Sequence, residues 1–347
     1  MTGCRALRLA SLLAGAACAG CGSSSPAPQG GAPASWNVLL SGLQATLLCV
    51  WGTSASDVFA VGGALGDGTP SAFLHYDGAR WTDLVPGGTE TFWWANGTSA
   101  SDVWAVGERG RIVHWDGAHF TEYISGTTAT LWGVWAAATN DVWAVGGTPG
   151  AGTSAPNDVV IHFDGVRWTS VPMPQALGRA LFKVWGSASD NLYIVGEAGT
   201  IWHHRGVTWT LESMPPLASG SLLTVNGCGA DDVYAVGGDD VLQSNGATWS
   251  RIRITLDSQV NGVSCASPGH VVVVGFGGLK ERLDGGAWQD DFAEAPHMDM
   301  HGAWADPTGA YWAAGGDFSS PARDGGPPRG GFVAYYGATP PAGTLGP

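Results

Sequence analysis

Apolar and polar positions along this chain follow a unit that recurs at intervals of about forty residues. Residues 57–62 (DVFAVG) alternate apolar with small or polar side chains and end in glycine. An alternation with a period of two is typical of a β-strand. The glycine that ends this run recurs as Gly62, Gly107, Gly146, Gly196, Gly237, Gly275 and Gly315. The pattern therefore predicts seven copies of one strand-rich unit.

Two further positions keep a constant distance from that glycine. The residue eleven positions earlier is Trp51, Asn96, Trp135, Trp185, Asn226, Ser264 and Trp304 in the successive copies. The residue fifteen positions earlier is always apolar: Leu47, Phe92, Leu131, Leu181, Leu222, Val260 and Met300. A period near forty residues suits one four-stranded blade per copy. We predict an all-β fold, a seven-bladed β-propeller with four-stranded blades.

The fourth strand of each unit opens with an aromatic residue, such as Trp81, after an Asp-Gly or Asn-Gly turn such as Asp77-Gly78. These dipeptides supply the positive φ that tight hairpins need. The seventh unit has Pro340 at the place of the aromatic residue, and a spare strand-like segment stands at residues 36–40. We therefore expect 36–40 to complete the last blade and to close the ring, which removes open sheet edges.

These boundaries predict one propeller domain over residues 36–340 and a disordered tail over 341–347. The residues before the propeller form a targeting segment in which an apolar run, 9–20, is too short to span a bilayer as a helix. We read residues 1–20 as a signal peptide and 21–35 as a flexible tether that begins with a lipid-bearing cysteine.

The targeting segment resembles the bacterial lipoprotein signal, in which small residues precede a cysteine that is diacylated. Ala19 and Gly20 precede Cys21, which the resemblance therefore marks as the lipidated residue. Cys18, after three small residues, is an alternative site, and an ordinary cleaved signal is a third reading. The residue after Cys21 is Gly22 and not Asp. For a lipoprotein of this kind the resemblance then implies sorting to the outer membrane, with the protein facing the periplasm or the cell surface.

Composition narrows the classes of partner. Only 13% of the residues are charged, and the formal net charge is −14 at pH 7. An acidic surface repels phosphate backbones and anionic head groups, so we expect no nucleic-acid binding and no membrane contact except through the lipid anchor. We expect a monomer.

The repeated motifs, of the form V-W-G-T-S-A-S-D-V-W-A-V-G followed by I-x-H-x-D-G-x-x-W-T, resemble a known family. They are similar to propeller proteins related to photosystem II assembly factors and, more distantly, to Asp-box sialidase-like propellers. The resemblance covers essentially the whole chain after the tether and implies a propeller fold. No catalytic residue is transferred from it, because the motif concerns the strands of each blade.

The repeated polar residues favour structure over catalysis. His75, His114, His162 and His203 occupy one repeat position on four blades, so a shared metal ion is geometrically implausible. The acids of the S-A-S-D-type turns recur in the same way, and such side chains usually accept hydrogen bonds from their own turn. No unique pair of carboxylates stands out, as a glycosidase requires.

Two local clusters remain. His297-Met-Asp-Met-His301 is of a soft-metal type, but Met300 occupies the apolar strand position, so we predict no metal and keep His297 and His301 as weak candidates. Cys228 and Cys265 fall near equivalent positions in adjacent units and are a possible disulfide.

Three connections between second and third strands are enlarged: 63–71, 147–158 and 316–330. Departures from a repeat are where binding residues concentrate. The polar side chains that these loops offer are Asp67, Asn157, Asp158, Ser319, Arg323 and Asp324. The sequence thus favours a non-catalytic envelope scaffold that binds a protein or a polysaccharide through this face, without a cofactor. The alternative is a carbohydrate-active enzyme, a hydrolase or lyase, at the mouth of the channel.

Overall fold

In the described part of the chain, twenty-eight strands group into seven antiparallel sheets. The computed structural model describes residues 33–346 apart from 64, 66, 67, 69, 219, 253, 255 and 319–328. The strands are β1 Ser35–Leu43, β2 Thr46–Ser54, β3 Asp57–Gly63, β4 Ala72–Tyr76, β5 Trp81–Asp83, β6 Phe92–Ser99, β7 Asp102–Gly107, β8 Ile112–Trp115, β9 Phe120–Tyr123, β10 Leu131–Ala138, β11 Asp141–Gly146, β12 Val159–Phe163, β13 Trp168–Ser170, β14 Leu181–Ala188, β15 Asn191–Gly196, β16 Ile201–Arg205, β17 Thr208–Leu211, β18 Thr224–Gly229, β19 Asp232–Gly237, β20 Asp240–Ser244, β21 Trp249–Arg251, β22 Val260–Ser267, β23 His270–Gly275, β24 Lys280–Asp284, β25 Ala287–Asp290, β26 Met300–Ala305, β27 Tyr311–Gly315 and β28 Gly331–Gly337.

Each sheet has four strands, consecutive along the chain in six of the sheets, which confirms the predicted seven-bladed β-propeller. Blades 1 to 6 are β2–β5, β6–β9, β10–β13, β14–β17, β18–β21 and β22–β25, and blade 7 is β26–β28 with β1. The first strand of every blade contacts the first strand of the next, and β26 contacts β2, so the ring closes around a central channel. Helical structure is confined, in the described residues, to short turns such as Glu108–Gly110 and Gly152–Ser154. No helix there is long and apolar enough to cross a membrane.

The repeated glycine is required because the second strand of each blade passes close to the backbone at the start of the first strand. A Cβ at Gly62 would collide with the carbonyl oxygen of Thr46, and a Cβ at Gly107 with that of Thr91. The same collision, with the residue sixteen positions earlier, recurs at every copy of the glycine. A side chain here would push the innermost strand out of the sheet, which explains the invariant spacing.

The position eleven residues before the glycine joins one blade to the next. Trp304 lies against Gly52, and Trp135 lies against Gly186, where an added Cβ would come within 3.0 Å of the indole ring. In the copies that carry a polar residue, the side chain accepts a hydrogen bond from the next blade, as Asn96 does from the backbone N–H of Ala136 at 2.9 Å. Apolar packing and hydrogen bonding thus perform the same task at one position.

The N-terminal strand closes the ring as the sequence predicts, over a longer segment than 36–40. Strand β1, Ser35–Leu43, pairs with β28 along its length. The indole Nε1 of Trp36 donates a hydrogen bond to Asp291 at 2.8 Å, which ties β1 to blade 6. Asp291 also accepts hydrogen bonds from the guanidinium of Arg282. The start of the closing strand is therefore held by a buried hydrogen-bond network of Trp36, Asp291 and Arg282.

Residues 341–346, which we expected to lack order, pair with the outer edge of blade 1. The Trp81 backbone N–H donates to the carbonyl oxygen of Thr344 at 3.2 Å, and Gly346 donates back to Trp81 at 2.9 Å. The Tyr76 hydroxyl donates to the carbonyl oxygen of Ala342 at 2.7 Å. The expectation is wrong for these residues because the edge strand β5 offers unpaired backbone groups that the tail can satisfy.

The four repeated histidines each form one structural pair, on blades 1 to 4. His114 Nε2 lies 2.7 Å from Asp102 Oδ1, and its ring stacks on Trp104 at a centroid distance of 4.3 Å. His75–Asp57 and His162–Asp141 repeat this geometry, and His203 pairs with Asn191. The pairs lie within their own blades and do not converge, in agreement with a structural role.

Candidate binding face at the channel mouth

The enlarged loop 147–158 is held by its own polar side chains. Asn157 accepts a hydrogen bond from the backbone N–H of Thr148 at 2.8 Å and donates to the carbonyl oxygen of Gly152 at 2.7 Å. Asp158 accepts from the backbone N–H of Gly178 at 2.6 Å. Asn157 therefore shapes the loop from inside, and Asp158 ties the end of the loop to the segment at Gly178. The other loop candidates, Asp67, Ser319, Arg323 and Asp324, lie outside the described residues, as do Cys18 and Cys21.

The two histidines of the soft-metal cluster lie in different surroundings. His297 lines a surface pocket of about 350 Å³ beside Asp299, Asp317 and Arg329. His301 lies in the channel, where its Nδ1 is 2.6 Å from the carbonyl oxygen of Leu48. Because a carbonyl only accepts, Nδ1 carries the proton.

Two cysteines predicted as a possible pair are joined. Cys228 and Cys265 form a disulfide between blades 5 and 6, with a Cα–Cα distance of 5.3 Å. In the described part of the chain, these cysteines and Asp232 are the one group of three metal-ligand side chains within reach of each other. The disulfide leaves the two sulfurs without thiolate character, so this group is not a metal site. Cys49 is buried and forms no disulfide.

Aromatic side chains from several blades meet at one end of the channel. We define the aromatic arc as Phe182, Trp132, Trp93, His301, Phe318 and Phe276. Ring centroids are separated by 6.0 Å between Phe182 and Trp132 and by 4.4 Å between Trp132 and Trp93. The arc continues from Trp93 to His301 at 5.7 Å and from His301 to Phe318 at 5.9 Å. Every member is partly exposed, so the arc presents an apolar surface to solvent.

The arc reaches the channel axis. Trp93 belongs to blade 2 and His301 to blade 7, which are separated by blade 1, yet their rings are in contact. Trp93 also has a buried Nε1 for which the described residues offer no hydrogen-bond partner.

The arc lies on the face of the enlarged loops. Trp132 Nε1 donates a hydrogen bond of 2.9 Å to the carbonyl oxygen of Gly147, the first residue of loop 147–158. Phe318 belongs to loop 316–330, and it packs against Phe276 at a centroid distance of 6.4 Å. The arc therefore lies beside the start of two of the enlarged loops, at Gly147 and at Phe318.

A buried lysine lies beneath the arc. Lys183 is 3% exposed, and its Nζ is 4.4 Å from the centroid of Trp94 and 2.8 Å from the carbonyl oxygen of Trp132. Burial lowers the pKa of Lys183 to about 7. Burial and the nearby Lys183 lower the pKa of His301 to about 3, so the imidazole is neutral at pH 7.

The aromatic arc was not predicted from the sequence, although the sequence carries a signal for it. Its strand members stand fourteen positions before the repeated glycine, and Lys183 and Trp94 stand thirteen before it. Residue type varies strongly at these two positions: the first set is Leu48, Trp93, Trp132, Phe182, Leu223, Asn261 and His301. Variation inside an otherwise regular strand is the mark that distinguishes them from the structural positions.

A second concave region is charged. A groove of about 660 Å³ on blades 2 and 3 is lined by acids, arginines and Tyr123. Arg111 is 3.7 Å from Glu90 and 3.5 Å from Glu122, so its charge is already paired. Hydrogen bonds from the backbone, with the nearby arginines, hold the pKa of Glu90 below its usual value. A glycosidase needs one carboxyl with a raised pKa as its general acid, and Glu90 is the opposite case.

Comparisons with known proteins identify the fold. No protein-family model and no curated protein matches this sequence. A streptogramin B lyase structure is similar with a TM-score of 0.67 and 12% identity over 88% of this chain and 97% of that chain. YCF48 bound to D1 peptide has a TM-score of 0.61 and 14% identity over 87% and 96%. The WD40 repeats of RRP9 have a TM-score of 0.66 and 11% identity over 88% and 98%. At these identities the likeness shows that the chain is a β-propeller, and it shows nothing more.

Proposed function

We propose that this chain is a non-catalytic scaffold of the bacterial envelope that binds a protein or polysaccharide partner through the face formed by the aromatic arc and the enlarged loops. The aromatic arc is the observation that carries the proposal. Exposed aromatic rings at a concave surface are typical of binding sites, where they bury a large area for little loss of side-chain entropy. YCF48 with its D1 peptide is an example of a similar propeller that binds a polypeptide.

The proposed location rests on the signal-like N-terminus. Lipidation at Cys21, or at Cys18, would place the propeller at the outer membrane. A Cys21→Ala variant should lose incorporated radiolabelled palmitate and leave the membrane fraction. Persistence of the label in that variant would move the anchor to Cys18, and a wild-type protein without label would contradict the anchor.

The partner experiment is crosslinking in native envelopes with the tagged wild-type protein and a Trp93→Ala/Trp132→Ala variant. We expect the variant to lose at least about 90% of a partner that the wild type captures, because two adjacent rings of the arc are removed. The matched control is Val166→Ser/Val207→Ser, two side chains that are 81% and 94% exposed in turns between third and fourth strands. Equal capture by all three proteins would contradict the proposal.

The alternative is a carbohydrate-active enzyme at the channel mouth, and the same preparation tests it. Sugars stack on aromatic rings as well as peptides do, so polysaccharide binding alone does not separate the two functions. Release of reducing ends or of unsaturated products from envelope polysaccharide, lost in the Trp93→Ala/Trp132→Ala variant, would establish the enzyme and contradict the scaffold.

A further inference from the structure

Lys183 has fewer partners than its burial requires. An ammonium group carries three donors, and the described residues give Lys183 a single hydrogen-bond acceptor, the carbonyl oxygen of Trp132. No described carboxylate lies within 4.0 Å of its Nζ. A buried cation without a counter-ion is unfavourable, because it loses its hydration and gains little in return.

The amine lies inside the channel and not within its own blade. Lys183 starts on blade 4, passes Gly133 of blade 3 and reaches the ring of Trp94 on blade 2. A Cβ at Gly133 would come within 2.8 Å of the Lys183 Cα and 3.3 Å of its Cδ, so glycine leaves the path open. The partly exposed Trp94 and Trp132 contact the amine, and Trp93 packs against Trp132.

The polar groups near the amine are short of acceptors with negative charge. Cys49 and His301 are the titratable groups that face Lys183 from blades 1 and 7. Burial raises the pKa of the Cys49 thiol to about 12, and His301 is neutral, so neither compensates the ammonium near pH 7. The unpartnered Nε1 of Trp93 adds a second donor to the same region. The site therefore offers donors and aromatic rings and lacks an anion.

We propose that the channel mouth binds the carboxylate of an apolar or aromatic group, with the ammonium of Lys183 as its counter-ion and the aromatic arc around its apolar body. The inference rests on the proposed function, because it names the ligand chemistry of the same face. The carboxylate can belong to a free arylalkanoic acid or to the C-terminal residue of a peptide. Both sources present one carboxylate next to an apolar group.

The test is calorimetric titration of the full mature protein with matched carboxylates and amides. The small probes are 3-phenylpropionate and 3-phenylpropionamide, and the peptide probes are a tripeptide that ends in phenylalanine with a free or an amidated C-terminus. We expect each carboxylate to bind at least about tenfold more tightly than its amide, since a charge-assisted pair replaces a neutral contact. Preference for the free acid over the peptide, or the reverse, identifies the source.

The Lys183→Met variant should bind carboxylate and amide equally, with amide affinity within about threefold of wild type, because only the charge is removed. The Val207→Ser variant, on the same blade, should behave as wild type. Carboxylate affinity should also fall between pH 6 and pH 9 as the amine loses its proton, a range in which Cys49 and His301 do not titrate. The wild-type comparisons stand even where the variant fails to fold.

The outcomes separate the two proposals. If carboxylate and amide bind equally well and Trp93→Ala weakens both, the channel mouth is a binding site and the role of Lys183 is overturned. If neither probe binds and Trp93→Ala/Trp132→Ala leaves partner capture unchanged, the proposed function fails with it.

Discussion

The two lysines of this chain are both buried, and their surroundings differ. Lys280 on blade 6 donates to the carbonyl oxygens of Gly278, Glu294 and Pro296 at 2.7, 2.9 and 2.9 Å. Lys183 in the channel donates to one carbonyl oxygen. Lys280 is thus satisfied by its own blade, whereas Lys183 is left with capacity for a ligand. The comparison teaches that burial alone does not mark a functional cation; the number of partners does.

The repeated histidine–acid pairs resemble Lys280, because their hydrogen-bonding groups already have partners. Each has its partner, its stacking ring and its place within a blade. Arg282 and Asp291 are likewise paired with each other, and Asp291 also accepts a hydrogen bond from Trp36 of the closing strand. Polar groups that recur or that bridge the ring closure stabilise the fold, and the groups that differ from blade to blade face the channel.

The largest expected effect comes from removing the satisfied lysine. Lys280→Met leaves three carbonyl acceptors without their donor and should lower the free energy of unfolding by about 4 kcal/mol. Urea denaturation followed by tryptophan fluorescence measures this loss. A variant as stable as wild type would show that the three hydrogen bonds do not stabilise the blade.

The disulfide should give the next effect. Cys228 and Cys265 are separated by 37 residues, and replacing both with alanine should cost about 3 kcal/mol, chiefly by freeing the unfolded chain. Ligand affinity should stay unchanged, because Cys228 and Cys265 lie towards the C-terminal ends of β18 and β22, whereas the aromatic arc lies at the beginning of the first strands. A change in affinity without a change in stability would reverse this assignment.

Removing one repeated histidine–acid pair should have a smaller effect. Asp102→Ala should lower the free energy of unfolding by about 2 kcal/mol in the same denaturation assay. Burial of Asp102 acts to raise its pKa, but hydrogen bonds from His114 and Thr98 outweigh it and hold the pKa below 3.8. The carboxylate therefore stabilises the fold fully above pH 3.8, and this contribution is lost as the pH falls through the lowered pKa. Asp102→Ala should remove this part of the acid sensitivity; unchanged partner capture would complete the contrast with the channel.

Lys183→Met should have the smallest effect on stability. Replacing an uncompensated buried ammonium with an apolar side chain of similar length should change the free energy of unfolding by less than about 1 kcal/mol, or increase it. The loss appears in ligand affinity instead. A loss of stability as large as that of Lys280→Met would mean that Lys183 is a structural residue.

The repeat could be predicted from the sequence because each blade solves the same packing problem. At Gly62 and Gly107 the same backbone collision excludes every residue type except glycine, so the spacing of these glycines is constant. The tail at 341–346 could not be predicted, because it is held chiefly by backbone hydrogen bonds that leave no pattern in the side chains.

The channel positions escaped prediction for a different reason. The register of the first strand shifts between Phe92 and Trp94 and between Leu181 and Lys183, and the same irregularity occurs in most blades. A bulge breaks the alternation of side chains between faces, so the period of two no longer tells which residues point into the channel. Residue variety, not periodicity, was the available signal there.

The most direct test of Lys183 as a ligand-facing cation is an NMR titration of the protein labelled with ¹³C at the lysine Cε, where only two signals arise. Lys183 should titrate with a pKa of about 7 in the free protein. Saturation with 3-phenylpropionate should raise that pKa, because the bound carboxylate favours the charged amine, and should leave the Lys280 signal unmoved. A Lys183 signal that titrates near 10.5, or that does not respond to the carboxylate, would contradict the account.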